Sequence, residues 1–385
     1  MEIGRPSYIS AVTKALKVNR VVAILGARQV GKTTLARRIA KMHSDATWFD
    51  LEDTRDRARL SDPMLAMRHL KGLVVIDEVQ TDPRVLETIR VLADTPRGAH
   101  FLLLGSASPD LLRQTSETLA GRISHIILEG LSFDEIEMLS WRRLWLRGGF
   151  PKSFLARTDV ASADWRHEFI RTFLERDLAR IAPEIRALSI ERLWFMLAHW
   201  HGQVMNSSEL SRSLGVSDTT IRRYLDLLAG TYVVRILRPW HENISKRQVK
   251  APKTFLSDSG LLHSLLGLDH AIDLERHPKV GASWEGFAMQ QVIRRIGARS
   301  NECYFWATHQ GAELDLLVVR GNKRRGYEFK RCDSPTFTKS MHIAKSDLKL
   351  DSLDIIYPGD DTYPIADGVR AVGLTQIWSD LRIIR

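Results

Sequence analysis

The octapeptide Gly26-Ala-Arg-Gln-Val-Gly-Lys32-Thr33 constrains this chain more than any other feature. It follows an apolar run at residues 21–25 and opens an amphipathic stretch at about 32–43, the order strand, loop, helix. Such a loop can turn successive backbone N–H groups toward one anion, with the positive end of the helix behind them. Gly26 and Gly31 remove the Cβ atoms that would obstruct the approach. The anion that uses such a cradle fully is a polyphosphate, so Gly26, Ala27, Arg28, Gln29, Val30, Gly31, Lys32, Thr33 and Thr34 form the expected nucleotide site. In it, Lys32 neutralises the β and γ phosphates and Thr33 is a magnesium ligand, which makes ATP and Mg2+ the expected cofactors.

A second half of the site is expected where the apolar run Leu73-Val-Val-Ile ends in Asp77-Glu78. A carboxylate at a strand end beside metal-bound phosphates supplies a hard oxygen ligand, the role of Asp77, and Glu78 has the chemistry to polarise an attacking water. An isolated Asp-Glu pair would signify no more than a strand cap; the upstream loop is what gives it a catalytic meaning. Ser106, after the apolar run at 101–104, lies where a hydroxyl can contact the γ phosphate or orient water, although a Gly-Ser turn also occurs without function. Arg122, in Leu119-Ala-Gly-Arg, is either an arginine finger for the transferred phosphoryl group or a surface arginine on a helix end.

The 385 residues exceed what one core serves, so several domains are expected: 1–138 for the nucleotide domain, 139–188 helical, 189–240, and 241–385. In the first, strands at about 47–51, 73–76 and 100–104 alternate with helices, the pattern of a parallel α/β sheet. A strand inserted between the phosphate loop and the acidic strand brings both strand ends to one edge. A break at Gly148, Gly149 and Pro151 favours a turn. Asn206 with Glu209 starts a helix, Gly215 ends it and Ser217 caps the next. With β-branched residues following, this outlines a winged helix. Ile221, Leu225 and Leu228 share one face of its second helix and leave Thr219, Arg222 and Arg223 on another, to meet DNA or to serve a packing module's surface. The net charge of +10 points to a polyanionic partner, and two cysteines are too few for a disulfide framework. No stretch is long and uncharged enough to span a bilayer, so a cytoplasmic protein with no membrane partner is expected.

These residues resemble a family of bacterial and archaeal AAA+ ATPases that carry a C-terminal domain of uncharacterised function. The likeness runs through the phosphate loop, Ile76-Asp-Glu-Val-Gln80, Gly105-Ser-Ala107, Leu119-Ala-Gly-Arg122, Leu131-Ser-Phe-Asp-Glu135, Gly148-Gly-Phe-Pro151 and Glu175-Arg-Asp-Leu178. It continues in Pro252-Lys253, Asp258-Ser-Gly-Leu261, Glu313-Leu-Asp315 and Glu328-Phe-Lys330, and so covers most of the chain. The resemblance implies a homo-oligomer, with a hexameric ring among its forms, in which Arg122 reaches a neighbouring subunit's nucleotide.

The last third also resembles the PD-(D/E)XK nuclease fold, through Glu285 in an amphipathic helix, Asp315 in an apolar strand, and Glu328 with Lys330 beyond a loop at 320–325. Strands pairing across that loop would bring Asp315 to Glu328, with Glu328 and Lys330 on one side and Phe329 on the other. Such carboxylates hold magnesium and the lysine orients water; the same charges also suit a structural ion cluster or a surface that holds DNA without cutting it. The expected fold class is therefore α/β: a P-loop AAA+ ATPase domain, a helical extension and winged helix, and a C-terminal α/β PD-(D/E)XK nuclease-like domain. The expected function is an ATPase acting on DNA, branched DNA included. Its alternative is a nucleotide-dependent switch that assembles protein partners in signalling or defence and carries an inert C-terminal domain.

Overall fold

Apolar runs too short for a helix and too continuous for a half-exposed strand become the interior of a parallel sheet. In a computed structural model of the chain, which describes residues 3–96, 98–106, 115, 117–136 and 140–384, the first such run is β1 (Val21–Gly26), buried throughout. It is followed by β2 (Thr47–Asp50), β3 (Leu73–Asp77), β4 (His100–Ser106) and β5 (Ile123–Ile127). All neighbours are parallel, in the order β2-β3-β4-β1-β5. The strand that follows the loop in the sequence, β2, is thus at the sheet edge, and the one that separates β1 from β3 in space is β4. Sequence alone did not point to β5, whose five residues are each half-buried and include Ser124 and His125. One core packs Leu25, Phe49, Ile76, Ile89 and Leu103 together.

The chain divides into two compact units, residues 1–130 with 226–233, and residues 131–225 with 234–385. The second begins helical, with Trp141–Arg147, Pro151–Phe154 and Asp159–Thr172. At the break between the first two, Gly148 has φ +76°, and a Cβ there would lie 2.1 Å from the Asp258 carboxylate. Pro151 opens a helix rather than a turn, its missing N–H costing nothing at that position. Asp258, buried, accepts hydrogen bonds from the Gly149 N–H at 2.7 Å and the Leu261 N–H at 2.9 Å, and so caps helix Ser259–Leu265. Asp258→Ala should lower the stability of this unit by about 3 kcal/mol, the sum of a lost cap and a stranded buried N–H, measurable as a shift in urea midpoint.

Helices Ser207–Leu214 and Asp218–Gly230 start and stop where their caps require. Asn206 Oδ1 accepts from the Glu209 N–H, Gly215 is left-handed at φ 66°, and Ser217 Oγ accepts from the Thr220 N–H. The strands that follow, β6 (Val234–Pro239) and β7 (Lys253–Leu256), are antiparallel. They do not form a sheet of their own. Arg238 and Pro239 of β6 also pair in parallel with Tyr304 and Phe305 of β8 (Cys303–Ala307), which makes β6 and β7 the end of a larger sheet.

That sheet continues with β9 (Glu313–Arg320), β10 (Lys323–Phe329), β11 (Ser352–Tyr357), β12 (Thr362–Ala366) and β13 (Val369–Gly373), in the order β12-β13-β11-β10-β9-β8-β6-β7. Helix Val280–Ile296 precedes β8, and helix Lys339–Asp347 lies between β10 and β11. The pairs β8/β9 and β9/β10 are antiparallel, and β10/β11 is parallel. The hairpin after β9 is tighter than the expected loop 320–325. Arg320 already pairs with Lys323, so Gly321 and Asn322 make the turn, and Arg324 and Arg325 are strand residues. No helix of the described residues is long and apolar enough to cross a membrane.

Candidate functional site

In the first unit, the ends of β1, β4 and β3 adjoin because Gly26 is in register with Ser106 and Ile76 with Leu103. The loop leaves β1 at Gly26, where a Cβ would meet the Leu128 carbonyl oxygen at 2.3 Å, a backbone obstacle with no side chain to move aside. Gln29 and Gly31 take left-handed φ values of 61° and 104°, which turn the loop into helix Lys32–Ala40. The Lys32 ammonium, buried, bridges the carbonyls of Gly26 and Ala27 at 3.1 and 3.0 Å and so lies across the mouth of the loop.

Thr33 Oγ1 donates to Asp77 Oδ2 at 2.9 Å, and the Glu78 N–H donates to Asp77 Oδ1 at 3.0 Å. Burial holds the Asp77 carboxyl above the usual carboxylate range; the Thr33 hydrogen bond opposes this, while the nearby charges of Glu78 and Asp50 add to it. A hydroxyl and an under-compensated carboxylate side by side, next to an anion cradle, are the hard-oxygen donors that suit Mg2+. Thr33 and Asp77 would hold it, and the bound ion would supply charge neutralisation to the phosphates. Glu78 sits at φ 54°, an uncommon backbone for a residue with a Cβ, and its carboxylate accepts a hydrogen bond from the Gln80 side-chain amide.

Ser106 ends β4 at the level of Gly26, between the loop and Asp77, while its side chain and residues 107–114 lie outside the described structure. Arg122 does not end a helix but immediately precedes β5, at the level where β1 begins: Val21 pairs with Ile123. That is the edge of the sheet away from the phosphate loop, about 17 Å along the strand, so Arg122 does not serve its own subunit's nucleotide. It forms a two-pronged ion pair with Asp94 at 2.7 and 2.8 Å. One residue that sequence reasoning missed is Arg5. Its buried guanidinium donates to the carbonyls of Val30 at 3.2 Å, Glu129 at 2.7 Å and Gly130 at 2.9 Å, tying the phosphate loop to the segment after β5. An arginine before a proline carries no signal of that role.

In the second unit, Glu285, Asp315, Glu328 and Lys330, taken from helix Val280–Ile296 and from β9, β10 and its end, line one cavity of about 470 Å³. Lys330 Nζ lies 2.7 Å from Glu328 Oε2 and 3.4 Å from Asp315 Oδ2, and Asp315 Oδ2 also accepts from the Phe329 N–H at 3.0 Å. Two more charged residues join them, neither singled out as a site residue from the sequence: Glu313 and Lys253, the first residue of β7. Lys253, almost fully buried, pairs with Glu313 and lies 3.6 Å from Glu285 Oε1. A lysine opening the short strand Lys-Thr-Phe-Leu was the available signal.

Burial, then the charge of Asp315, push the Glu285 carboxyl up to about 8 and hold that of Glu328 well above its ordinary range. Burial lowers the affinity of Lys253 and Lys330 for their protons, but the surrounding carboxylates outweigh it and hold both ammonium groups charged. Among the described residues no three His, Cys, Asp or Glu side chains are placed to hold a metal ion. Two ammonium groups already stand among the carboxylates.

Thr219, Arg222 and Arg223 are exposed on helix Asp218–Gly230, while Ile221, Leu225 and Leu228 are buried. Thr219 is hydrogen-bonded to Ser217 at 2.7 Å, and Arg223 is paired with Glu184.

A family model described as an AAA domain matches residues 18–137. Two models described as domains of unknown function, DUF8612 and DUF4143, match residues 138–271 and 280–377. Two uncharacterized proteins, one of Mycobacterium bovis and one of Mycobacterium tuberculosis, are each 48% identical over 378 residues, covering 98% of this chain and 85% of theirs. Among solved structures, the Walker-type ATPase of Pyrococcus abyssi aligns at a TM-score of 0.51 and 13% identity, over 69% of this chain and 96% of that one, a likeness of fold alone. The phosphate loop and the acidic strand end lie in one sheet within the matched AAA domain, a P-loop ATPase domain, and the chain as a whole belongs to the family of the two mycobacterial proteins.

Proposed function

We propose that this ATPase acts on DNA, and that the acidic and lysine-lined cavity of its second unit receives the phosphodiester backbone. The observation that carries the reading is the convergence of Glu285, Asp315, Glu328 and Lys330 on one cavity, from a helix and two paired strands. The chain order around them, helix, three antiparallel strands, helix, parallel strand, is the order of the PD-(D/E)XK core. Protonated Glu285 is a hydrogen-bond donor rather than a repelling anion, burial disfavours the charged form of Glu328, and Lys253 and Lys330 supply positive charge, so the cavity tolerates a phosphate. With its charges neutralised internally, the cavity favours holding DNA over cutting it. Exposed Thr219, Arg222 and Arg223 would add backbone contacts. Arg122, far from its own phosphate loop, half-buried and paired with Asp94, would have to exchange that partner to reach a neighbour's nucleotide in a homo-oligomer such as a hexameric ring.

The test is ATP turnover with magnesium, alone and with duplex, single-stranded and branched DNA, across a salt series. Stimulation by one DNA form is expected. It should fall steeply as salt rises, because lysines and arginines displace condensed counterions, and Asp315→Asn with Lys330→Ala should abolish it. Turnover indifferent to every DNA overturns the proposal. The ammonium-filled cavity also favours a second reading, a nucleotide-dependent switch for protein partners whose C-terminal domain is inert. Under that reading the same double substitution leaves every activity unchanged, and a folded protein is recovered in a nucleotide-dependent way.

A further inference from the structure

The basic run Lys323-Arg-Arg325 does not act as one patch. Alternation along β10 turns Arg324 away from its neighbours: it donates to Glu242 at 2.6 Å and to the Leu348 carbonyl at 2.8 Å, and stacks over Trp240. Lys323 and Arg325 line a second cavity, of about 600 Å³, which shares no residue with the acidic one. Its floor is ordered by register. Arg325 faces Ser352 across β10 and β11, and Tyr327, Asp354 and Arg370 stand in a row across β10, β11 and β13. Ser379, Asp380, Leu381 and Arg382 complete the wall.

Two features of this cavity ask for a ligand. Tyr327 is 1% exposed, and its hydroxyl proton has no acceptor among the described residues, the neighbouring Arg325 guanidinium being a donor only. Burial, and after it the Asp354 charge, raise the phenol's pKa against the opposing charge and hydrogen bond of Arg325, so at neutral pH it is a donor in want of an acceptor. The second feature is charge. Lys323, Arg325, Arg370 and Arg382 face Asp351, Asp354 and Asp380. Asp354 is spent on Arg370 at 2.8 Å, and Asp351 accepts from the Arg324 N–H at 2.6 Å. Arg325 donates to a neutral group, the Arg382 carbonyl at 3.3 Å, which leaves its charge without a carboxylate among the described residues.

We propose that this cavity binds the phosphate group of a nucleotide-sized ligand, with the Tyr327 hydroxyl and the Arg325 guanidinium as its principal donors and Lys323 and Arg382 at its rim. A tetrahedral oxyanion accepts hydrogen bonds from several directions at once, which a buried phenol, a guanidinium fork and flanking cations provide. The volume is that of an ordinary small-ligand site and exceeds what a lone phosphate fills. The phosphate is carried either by a free nucleotide or by the end of a nucleic-acid strand.

The experiment is calorimetric titration of the full chain, its phosphate loop saturated with ADP and magnesium, using inorganic phosphate, AMP and a 5′-phosphorylated trinucleotide as probes. At least one probe should bind, with affinity reduced on the order of tenfold or more in Arg325→Gln and severalfold in Tyr327→Phe. Tyr327→Phe keeps the ring in place and removes only the donor, so it decides the matter if Arg325→Gln folds poorly. Tighter binding of the trinucleotide than of AMP identifies a nucleic-acid end as the source; the reverse identifies a free nucleotide. Failure of all three probes to bind, or binding unchanged in both variants, overturns the proposal. Neither result bears on the acidic cavity, whose residues are separate.

Discussion

Glu78→Gln should still take up ATP but turn it over at least about a hundredfold more slowly than the natural chain. The substitution keeps the side chain's size and removes its ability to accept a proton from water. It also keeps the backbone, since at φ 54° glutamine is strained no more than glutamate. Lys32→Ala should lose turnover together with much of the nucleotide affinity, because the ammonium that spans the loop mouth between the carbonyls of Gly26 and Ala27 is the fixed positive charge there. Phosphate release at saturating ATP, alongside fluorescence titration with a labelled nucleotide, separates the two effects. A Glu78→Gln protein that hydrolyses at the natural rate would remove Glu78 from the chemistry and leave its unusual backbone to another cause.

A change of comparable size is expected in stability rather than activity. The second unit should become less stable as pH rises from 6.5 to 8. Glu285 holds its proton in the folded state up to about 8, against an ordinary value of 4.5. Between those values the folded state binds more protons than the unfolded one, so this contribution is full below 4.5, declines as pH rises, and is lost above about 8. Glu328 acts in the same direction. Buried His201 and His263 act in the opposite one. Burial lowers both to about 3 from 6.5, so folding excludes their protons and stability grows with pH until 6.5, beyond which they are neutral in both states. Lys253 and Lys330 keep their protons throughout. The window in which the carboxyls act unopposed is therefore 6.5 to 8. Glu285→Gln should flatten it, with the difference between the two proteins changing by on the order of 2 kcal/mol across that window. Urea unfolding of both proteins from pH 5 to 9 measures this directly; parallel profiles would mean that Glu285 is ionised in the folded state.

The reliability of the sequence reading varied with the range over which its signals act. The phosphate loop, the acidic strand end and the helix caps at Asn206, Gly215 and Ser217 were legible because each is set by residues a few positions apart. The strand β5 was missed because its five residues are half-buried and mixed in polarity, so neither an apolar run nor alternation marks it. The hairpin after β9 is shorter than the span between the two apolar runs, because Arg324 is a strand residue anchored through Glu242, the Leu348 carbonyl and Trp240. The sheet that β6 joins was hidden for another reason. Strand β6 finds a second partner, β8, more than sixty positions away, and nothing in either strand's own pattern names the other.

What the sequence by itself determined is the chemistry that needs adjacent residues: a loop whose amides, glycines and lysine suit polyphosphate, and an Asp-Glu pair at the end of an apolar strand. Local spacing is enough there, because backbone geometry converts a short string into a fixed arrangement of groups. Only the tertiary structure decided which distant charges meet. It brought Lys253 from β7 to the carboxylates of Glu285 and Glu313, set Arg122 at the sheet edge opposite its own phosphate loop, and placed Tyr327 beside Arg325 in a cavity closed by residues 379–382. A buried ion's protonation and its capacity to hold a metal depend on everything packed around it, and those neighbours arrive through strand pairing and register, which a linear sequence does not display.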